Sequence, residues 1–264
     1  MSDVLVLCYH AVSPTWPAAL SIEPEALERQ LAGLARRGYS GVPVTEALTG
    51  PPTERTVAIS FDDAYRSVLE LARPILDRLG MRASVYVPTD WPDREEPMSW
   101  PGIERWLAGP HESEMRCMSW DQLRGLADDG WEVGSHTCSH PRLPDLDDQA
   151  LDAELGQSRA ACEERMGRPC RSIAYPYGAV DERVVEAAGR AGYGFGVTLP
   201  RGLHAPRPLY WPRVGIYHAD GQADWRWRLK VSPALRRLRA SPAWESLDAA
   251  RRRIRPARGA AEGC

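Results

Sequence analysis

Short apolar runs alternate with amphipathic helical patterns along most of this chain, and this alternation restricts the fold more than any other feature. Residues 4–9, 56–61 and 83–87 are apolar runs of strand length, and residues 25–37 and 65–79 between them follow a helical period. Strands that are separated by helices form parallel sheets or barrels. The pattern therefore predicts an α/β fold, and its roughly seven strands indicate a closed or nearly closed (β/α) barrel.

The alternation continues to about residue 217, with one long interruption. Further strands are predicted at 131–134, 172–175, 194–198 and 210–217, and further helices at 119–129, 147–166 and 182–191. Pro74 should kink the helix over 65–79, because proline has no backbone N–H to donate. The segment 88–118 breaks the pattern. Loops of this length inside compact domains are usually functional, so we expect an insertion on the substrate side.

Charge is divided unevenly along the chain. The 264 residues include 33 Lys and Arg and 36 Asp and Glu, and eleven of the basic but only three of the acidic residues follow Trp225. The preceding residues are therefore acidic, with 22 basic and 33 acidic side chains. An acidic body lacks the basic face of a nucleic-acid-binding protein, so no nucleic-acid partner is predicted. We divide the chain into a catalytic domain at 1–224 and a basic tail of two short helices at 225–264.

The basic tail has two interpretations. Its arginines could lie along an anionic membrane surface, which would make the protein peripheral to the inner membrane. They could equally belong to a solvated tail without a partner. The arginines concerned are Arg236, Arg237, Arg239, Arg251, Arg252, Arg253, Arg255 and Arg258.

The cysteines and the amino terminus predict a cytoplasmic protein. None of the six cysteines forms a C-x-x-C pair, and their spacing indicates neither a zinc knuckle nor a disulfide framework. The apolar run at 4–8 has no basic region before it and is too short for a signal peptide. No apolar stretch approaches the roughly 18 residues that a membrane span needs.

Two adjacent carboxylates, Asp62 and Asp63, follow the predicted strand at 56–61 directly. Like charges this close resist joint ionisation unless a cation neutralises them. A divalent metal removes this conflict if one carboxylate binds it and the other acts as a base. The alternative is that one aspartate caps the following helix.

Two histidines, His136 and His140, follow the predicted strand at 131–134. Imidazoles four residues apart can face one point if the loop forms a single helical turn. Neutral histidine is a common ligand of zinc-like metals, although a lone histidine is more often a hydrogen-bonded polar residue. Cys138 lies between the two and would point away in such a turn, so we do not assign it as a ligand.

Aromatic residues accompany these motifs. The turn Tyr175-Pro176-Tyr177-Gly178 closes a predicted strand and can present backbone N–H groups, as an oxyanion hole requires. Tryptophans in and beside the insertion could stack on sugar rings or could simply pack in the core. These tryptophans are Trp91, Trp100, Trp106 and Trp120.

Three motifs follow one another along the chain: Ser60-Phe61-Asp62-Asp63, the histidine pair and the Tyr175–Gly178 turn. In this order they resemble the successive motifs of the polysaccharide deacetylase family, also called the NodB-homology family. The resemblance runs from residue 4 to about residue 216. It implies a distorted (β/α)7 barrel and a zinc-like ion bound by Asp63, His136 and His140. It also implies that Asp62 is the general base and that the backbone N–H of Tyr177 helps to hold the oxyanion.

The chain departs from the family pattern at several positions. Ala64 replaces a common glycine, and Ala174 replaces an arginine that orients the base in many members. Arg213 is our candidate for that role from another strand. For the general acid, Tyr9-His10 resembles the motif of circularly permuted members, and we prefer His10 to His218.

These features predict a metal-dependent hydrolase that removes the N-acetyl group from an amino sugar in a glycan, a lipid-linked intermediate or a small glycoconjugate. Zinc is the default ion, and Co²⁺, Ni²⁺ and Mn²⁺ also suit an Asp-His-His site with an open position. Two alternatives are a non-catalytic carbohydrate-binding relative and a hydrolase of another amide or ester.

Overall fold

Parallel strands alternating with helices form the body of the protein, which is a computed structural model describing residues 4–50, 55–199 and 206–232. The strands are β1 (Leu5–Tyr9), β2 (Ala11–Val12), β3 (Ser21–Ile22), β4 (Ser40–Val42), β5 (Thr56–Phe61), β6 (Ser84–Val87), β7 (Glu132–Ser135), β8 (Ser172–Ala174), β9 (Phe195–Thr198), β10 (Trp211–Pro212) and β11 (Val214–Gly215). The α-helices are α1 (Pro24–Ala35), α2 (Val44–Thr49), α3 (Arg73–Arg78), α4 (Trp120–Asp128), α5 (Asp148–Met166), α6 (Glu182–Arg190), α7 (His218–Gln222) and α8 (Asp224–Val231).

The main sheet curves into a nearly closed barrel. Its strand order is β10-β9-β8-β7-β6-β5-β1-β11, and every pair in it is parallel. The two end strands, β10 and β11, are separated in the chain only by Arg213. The segment 211–215 therefore joins both edges of the sheet, and seven strand positions surround the barrel. The predicted α/β barrel is confirmed, and β4 adds a short extra pairing to β5.

A small apolar cluster fills the interior of the barrel. It includes Val6, Ala58, Tyr86 and Ala174 from four different strands, and all four are buried. Tyr86 is the bulky member, and Gly134 on the neighbouring strand makes room for it. A Cβ atom at Gly134 would lie 2.5 Å from Cε1 of Tyr86, so only glycine fits there.

The helices are defined by local signals in the sequence. Ser119 accepts a hydrogen bond from the backbone of Gln122 and forms a capping box with it, so α4 begins after Ser119 as predicted. Asp147 caps α5 in the same way, and Gly167 ends that helix with a left-handed φ of 63°. The apolar faces of the outer helices pack against the outward-facing strand residues in one large core.

Several predicted elements have different boundaries. The helix predicted over 65–79 is present as a continuous helix over residues 66–78, but it contains a π-helical turn at Val68–Ala72 directly before α3. Pro74 follows this turn, and such a local distortion of the helix is what a proline without a backbone N–H requires. The sequence did not predict β4, α2 or the two-stranded sheet of β2 and β3. The strands among them have only two or three residues each.

The structure describes the insertion and the beginning of the tail. The insertion at 88–118 contains two short 3₁₀ turns, Glu104–Trp106 and Glu112–Met115. The first predicted tail helix is α8, which packs against the body with Trp227 and Val231 buried. The second predicted tail helix and its arginines lie outside the described residues. No helix in the described part is long and apolar enough to cross a membrane.

Candidate metal centre

Polar side chains gather where the barrel strands end at their carboxyl edge. His10 follows β1, Asp62 and Asp63 follow β5, and His136 follows β7. Parallel strands of one barrel all point the same way, so residues distant in sequence meet at this edge. All four side chains, and that of His140, are at least nine-tenths buried.

Asp63, His136 and His140 converge on one point. Oδ1 of Asp63 lies 3.3 Å from Nε2 of His136 and 3.4 Å from Nε2 of His140. Nδ1 of His136 lies 2.7 Å from the carbonyl oxygen of Ala174 and donates to it, which leaves the Nε2 lone pair facing the aspartate. Oδ1 of Asp63 accepts no hydrogen bond within the described residues. One carboxylate and two imidazoles whose Nε2 atoms face it form the donor set of a zinc-like ion, so these residues fit the predicted metal.

The two loops that carry the ligands contain strained backbone. Asp63 and Ala64 have φ values of 67° and 51°, and Thr137 and His140 have values of 68° and 66°. Non-glycine residues rarely adopt this left-handed conformation, and each costs on the order of 1 kcal/mol or more. The helical turn expected between the two histidines is therefore wrong, and the left-handed residues aim both rings at Asp63 instead.

Glu154 on α5 anchors the histidine loop. Its Oε2 accepts hydrogen bonds from the backbone N–H of Cys138 at 2.7 Å and of Ser139 at 3.1 Å, and its Oε1 accepts from Oγ of Ser139 at 2.6 Å. Sγ of Cys138 lies 3.6 Å from the carbonyl of Glu154, away from the ligand atoms. Cys138 thus points away, as expected. Glu154 cannot be recognised from the sequence, because nothing local distinguishes it from the other acidic residues of α5.

Asp62 is held by a buried arginine. Nη1 and Nη2 of Arg213 donate to Oδ1 and Oδ2 of Asp62 at 2.6 and 2.7 Å, and Nη1 also contacts Oγ of Ser60 at 3.1 Å. Burial raises the pKa of Asp62, but the charge and hydrogen bonds of Arg213, together with His136, lower it to about 2. The carboxylate is therefore ionised at neutral pH.

Arg213 occupies the interior space above the apolar cluster. Its guanidinium carbon lies 5.7 Å from the ring centroid of Tyr86. Ala174 is buried in the same interior, so its small side chain leaves room for an arginine that arrives from the β10–β11 junction. The structure thus brings our candidate for orienting the base, Arg213, onto Asp62.

The two candidate general acids lie in different surroundings. A nitrogen of His10, Sγ of Cys8 and a carboxylate oxygen of Asp62 all lie within 4.8 Å of one another. His218 is half-buried at the start of α7, where its Nε2 lies 2.8 Å from Nε2 of Gln222. Burial lowers the pKa of His10, and the charges of Asp63 and Asp62 oppose that change. The structure therefore brings His10, and not His218, to the paired carboxylates.

Aromatic rings enclose the histidine side of the site. Trp100 from the insertion stacks on His140 with ring centroids 4.1 Å apart, and the ring of Tyr177 meets the same imidazole at 4.7 Å. Tyr177 has a left-handed φ of 59° in the Pro176–Gly178 turn. Trp100 and Trp120 are buried, so for these two of the four tryptophans the core-packing alternative applies, whereas Trp91 and Trp106 are half-buried.

Comparisons with known proteins agree with the resemblance seen in the motifs. The family model described as polysaccharide deacetylase matches residues 49–196. A Bacillus subtilis (strain 168) protein named "Putative polysaccharide deacetylase YxkH" is 27% identical over 202 residues, which are 75% of this chain and 64% of that protein. The chain thus spans less than two thirds of this relative's length.

Two solved structures have a similar fold. The Streptococcus pyogenes deacetylase PplD, solved in complex with acetate, aligns with a TM-score of 0.68 and 22% identity, over 90% of this chain and 98% of that one. BC0361, a polysaccharide deacetylase from Bacillus cereus, aligns with a TM-score of 0.67 and 25% identity, over 81% of this chain and 65% of that one. The family match contains both aspartates and both histidines, whereas His10 and Arg213 lie outside it.

Proposed function

Because the chain belongs to the polysaccharide deacetylase family, we propose that it is a metal-dependent hydrolase that removes the N-acetyl group from an acetylated amino sugar. One observation carries the proposal. Asp63, His136 and His140 converge on one point, and Asp62 remains beside them, ionised and held by Arg213. The substrate is a glycan, a lipid-linked sugar or a small glycoconjugate.

Asp63, His136 and His140 would hold the ion, with zinc as the first choice and Co²⁺, Ni²⁺ or Mn²⁺ as alternatives. When bound, a divalent cation supplies Lewis acidity, which lowers the pKa of water and polarises the acetyl carbonyl. The chain contributes the geometry. His136 donates to the carbonyl of Ala174 and the histidine loop donates to the carboxylate of Glu154, so the imidazoles need little rearrangement to bind.

Asp62 acts as the general base. It accepts a proton from the water that attacks the acetyl carbon. The bidentate contact with Arg213 uses one lone pair of each carboxylate oxygen, and Oδ2 also accepts from Sγ of Cys8 at 3.4 Å, so the remaining lone pair of Oδ1 can face the water. The same contact keeps Asp62 ionised, so the proton acceptor is present at neutral pH.

Tyr177 and His10 complete the reaction. The backbone N–H of Tyr177 donates a hydrogen bond to the oxyanion that forms when water adds to the carbonyl. His10 then donates a proton to the sugar nitrogen as the C–N bond breaks, since an amide anion is a very poor leaving group. The products are acetate and a free amino sugar. The location of His10 beside Asp62 supports this role over His218.

Acetate release from a panel of N-acetylated amino sugars tests the proposal directly. The purified chain should release acetate, lose this activity after treatment with a chelator, and regain it when Zn²⁺ is added back. Asp62→Asn should lower kcat by about 10²-fold or more, the usual contribution of a general base. Asp121→Asn, which changes an exposed carboxylate on α4, is the matched control and should keep full activity.

The alternatives give different results in the same assay. A carbohydrate-binding relative would bind the sugars without releasing acetate. A hydrolase of another amide or ester would leave all N-acetyl sugars intact and would cleave other acyl compounds in a chelator-sensitive way. The first outcome contradicts the proposed hydrolysis, and the second contradicts the proposed substrate class.

The general acid is tested with two leaving groups. His10→Gln should lower the cleavage of an N-acetyl sugar by about 10²-fold or more, and should affect an activated aryl acetate much less, because that leaving group needs no proton. His218→Gln should change neither reaction. The reverse pattern would assign the acid to His218.

The proposal includes the cytoplasmic location that the cysteine pattern predicts. Fractionation of cells that produce the tagged chain would test it. Recovery from the medium or from the space outside the inner membrane would contradict it.

A further inference from the structure

Helix α8 carries apolar side chains on two opposite faces. Trp227 and Val231 are buried against the body. Trp225 and Leu229 point outward, and 64% and 46% of their surfaces are exposed. Every other large apolar side chain among the described residues is buried or half-buried. Residues four apart share one face of a helix, so Trp225 and Leu229 form a single apolar patch. A helix that already buries one stripe has no need of a second one for its own packing.

Basic residues flank this outer patch, together with one acidic residue, Asp224, which pairs with Arg228 at 3.4 Å. Arg226 and Arg228 lie beside it on α8, and the guanidinium of Arg226 is 5.8 Å from the ring of Trp225. The chain continues beyond Ser232 with residues 233–264, which include eight arginines and three acidic residues. The apolar patch therefore lies in the most cationic stretch of an otherwise acidic chain.

The charges decide between the candidate occupants of the patch. Residues 233–264 and the same face of a second copy are both cationic, so each would bring like charge against Arg226 and Arg228. An exposed tryptophan and leucine flanked by arginines are instead the side chains that enter the headgroup region of an anionic bilayer. We propose that the outer face of α8 binds the surface of an anionic lipid membrane.

This surface is linked rigidly to the barrel. Nζ of Lys230 donates to the carbonyl of Gly215 at 2.7 Å and to Oδ2 of Asp220 at 2.5 Å. The same Nζ lies 5.0 Å from the ring of Tyr217, and that ring lies 6.3 Å from the ring of His10. Membrane binding through α8 would hold the bilayer near the active site and favour a membrane-borne acceptor sugar. That consequence rests on the proposed function, whereas the binding itself does not.

Sedimentation of the full chain with lipid vesicles tests the proposal without any activity assay. The chain should bind vesicles of phosphatidylcholine that contain phosphatidylglycerol, and bind vesicles of phosphatidylcholine alone much less. The double variant W225A/L229A should weaken binding to the anionic vesicles by about tenfold or more, because it removes the apolar contact.

Charge variants separate the local patch from net charge. R226Q/R228Q should weaken binding by about fivefold per charge removed, the effect of roughly 1 kcal/mol for each arginine near an anionic surface. R36Q/R37Q removes the same charge from exposed residues at the end of α1 and should bind like the unmodified chain. Thermal unfolding should be unchanged in W225A/L229A and R36Q/R37Q, whose side chains are exposed, and nearly unchanged in R226Q/R228Q, because the buried Asp220 that Arg226 contacts keeps its ion pair with Lys230.

Three outcomes would overturn the proposal. The first is that the chain sediments equally with both vesicle types, or sediments with neither of them. The second is unchanged binding by W225A/L229A. The third is a dimer of the unmodified chain that W225A/L229A dissociates, because the patch would then bind a second copy. Loss of acetate release with normal vesicle binding would contradict only the proposed function.

Discussion

The barrel holds carboxylates at both ends, and the two ends satisfy them differently. At the amino end, Glu132 accepts hydrogen bonds from the backbone N–H of Thr45 at 3.0 Å, from Oγ of Ser84 at 2.5 Å and from Oγ of Ser172 at 2.6 Å, and also contacts the hydroxyl of Thr45. At the carboxyl end, Oδ1 of Asp63 accepts none and faces two imidazole nitrogens. The amino end uses its acid to stabilise the fold, and the carboxyl end leaves lone pairs for a ligand.

Backbone strain is distributed in the same way. Within the described residues, every non-glycine residue with a left-handed φ lies in a loop that follows the carboxyl end of β5, β6, β7 or β8. Strained residues persist only where the surrounding structure holds them, and they concentrate at functional sites. The comparison teaches that the role of a buried carboxylate cannot be read from the residue type alone. The hydrogen bonds that the carboxylate accepts and the backbone strain around it indicate whether it is structural or functional.

The largest effect should follow from Asp63→Asn. We expect acetate release to fall by more than about 10³-fold and the bound metal to be lost, since several kcal/mol of transition-state stabilisation depend on the ion. The metal-free variant should unfold at nearly the same temperature as the metal-free parent chain, because Oδ1 accepts no hydrogen bond that could be lost. A large drop in its melting temperature would show that Asp63 is structural, like Glu132.

A smaller catalytic effect should follow from Arg213→Lys. Lysine keeps the charge but cannot form the bidentate contact with Asp62, so kcat should fall by about 10²-fold while KM changes little. Metal content measured by mass spectrometry should stay the same, because Arg213 contacts no proposed ligand. Arg82→Lys, which changes a surface ion pair with Glu46, is the control. Equal losses in the two variants would contradict a positioning role.

At the amino end, Glu132→Ala should reverse the pattern of Asp63→Asn. It leaves the polar groups of Thr45, Ser84 and Ser172 without their acceptor, and the free energy of unfolding should fall by about 3 kcal/mol. Metal affinity and kcat of the folded fraction should not change. Glu46→Ala, at an exposed position nearby, should alter stability by less than about 0.5 kcal/mol. If Glu132→Ala weakened metal binding, the two ends would not be independent.

The smallest of these effects should come from Glu154→Gln. Glutamine keeps one acceptor for the loop and loses the other, so metal affinity should weaken by about 10-fold, and Glu154→Ala should approach 100-fold. Isothermal titration with Zn²⁺ measures both. Glu164→Gln, at an exposed position of the same helix, should leave the affinity unchanged. A stability loss without a change in affinity would place Glu154 with Glu132, among the structural acids.

The barrel and the candidate residues of the proposed metal site could be predicted from short patterns. The apolar runs at β1, β5, β6 and β9 have the length and composition of buried strands, and Asp62-Asp63 and His136–His140 are each close in sequence, so each pair is visible without coordinates. The short strands β2, β3, β4, β10 and β11 were missed or merged, because two or three residues carry no period.

The contacts between distant residues could not be predicted in the same way. Arg213 and Asp62 are separated by 151 residues, and the choice of Arg213 in the sequence was only an inference from Ala174, which lacks the usual arginine. Glu154 gave no signal at all, because its partners are backbone N–H groups and any acidic residue on that helix face would look the same in sequence.

Local sequence was thus sufficient for most of the order of strands and helices and for the cap of α4, since each depends on residues within a few positions of one another, and it marked the two short motifs that carry the proposed ligands. The closure of the barrel determined that Arg213 contacts Asp62 and that His10 lies beside it. It also determined that Oδ1 of Asp63 accepts no hydrogen bond within the described residues. These features depend on the register of strands far apart in the chain and on how side chains fill the limited space inside the barrel, and neither quantity is a property of any short segment.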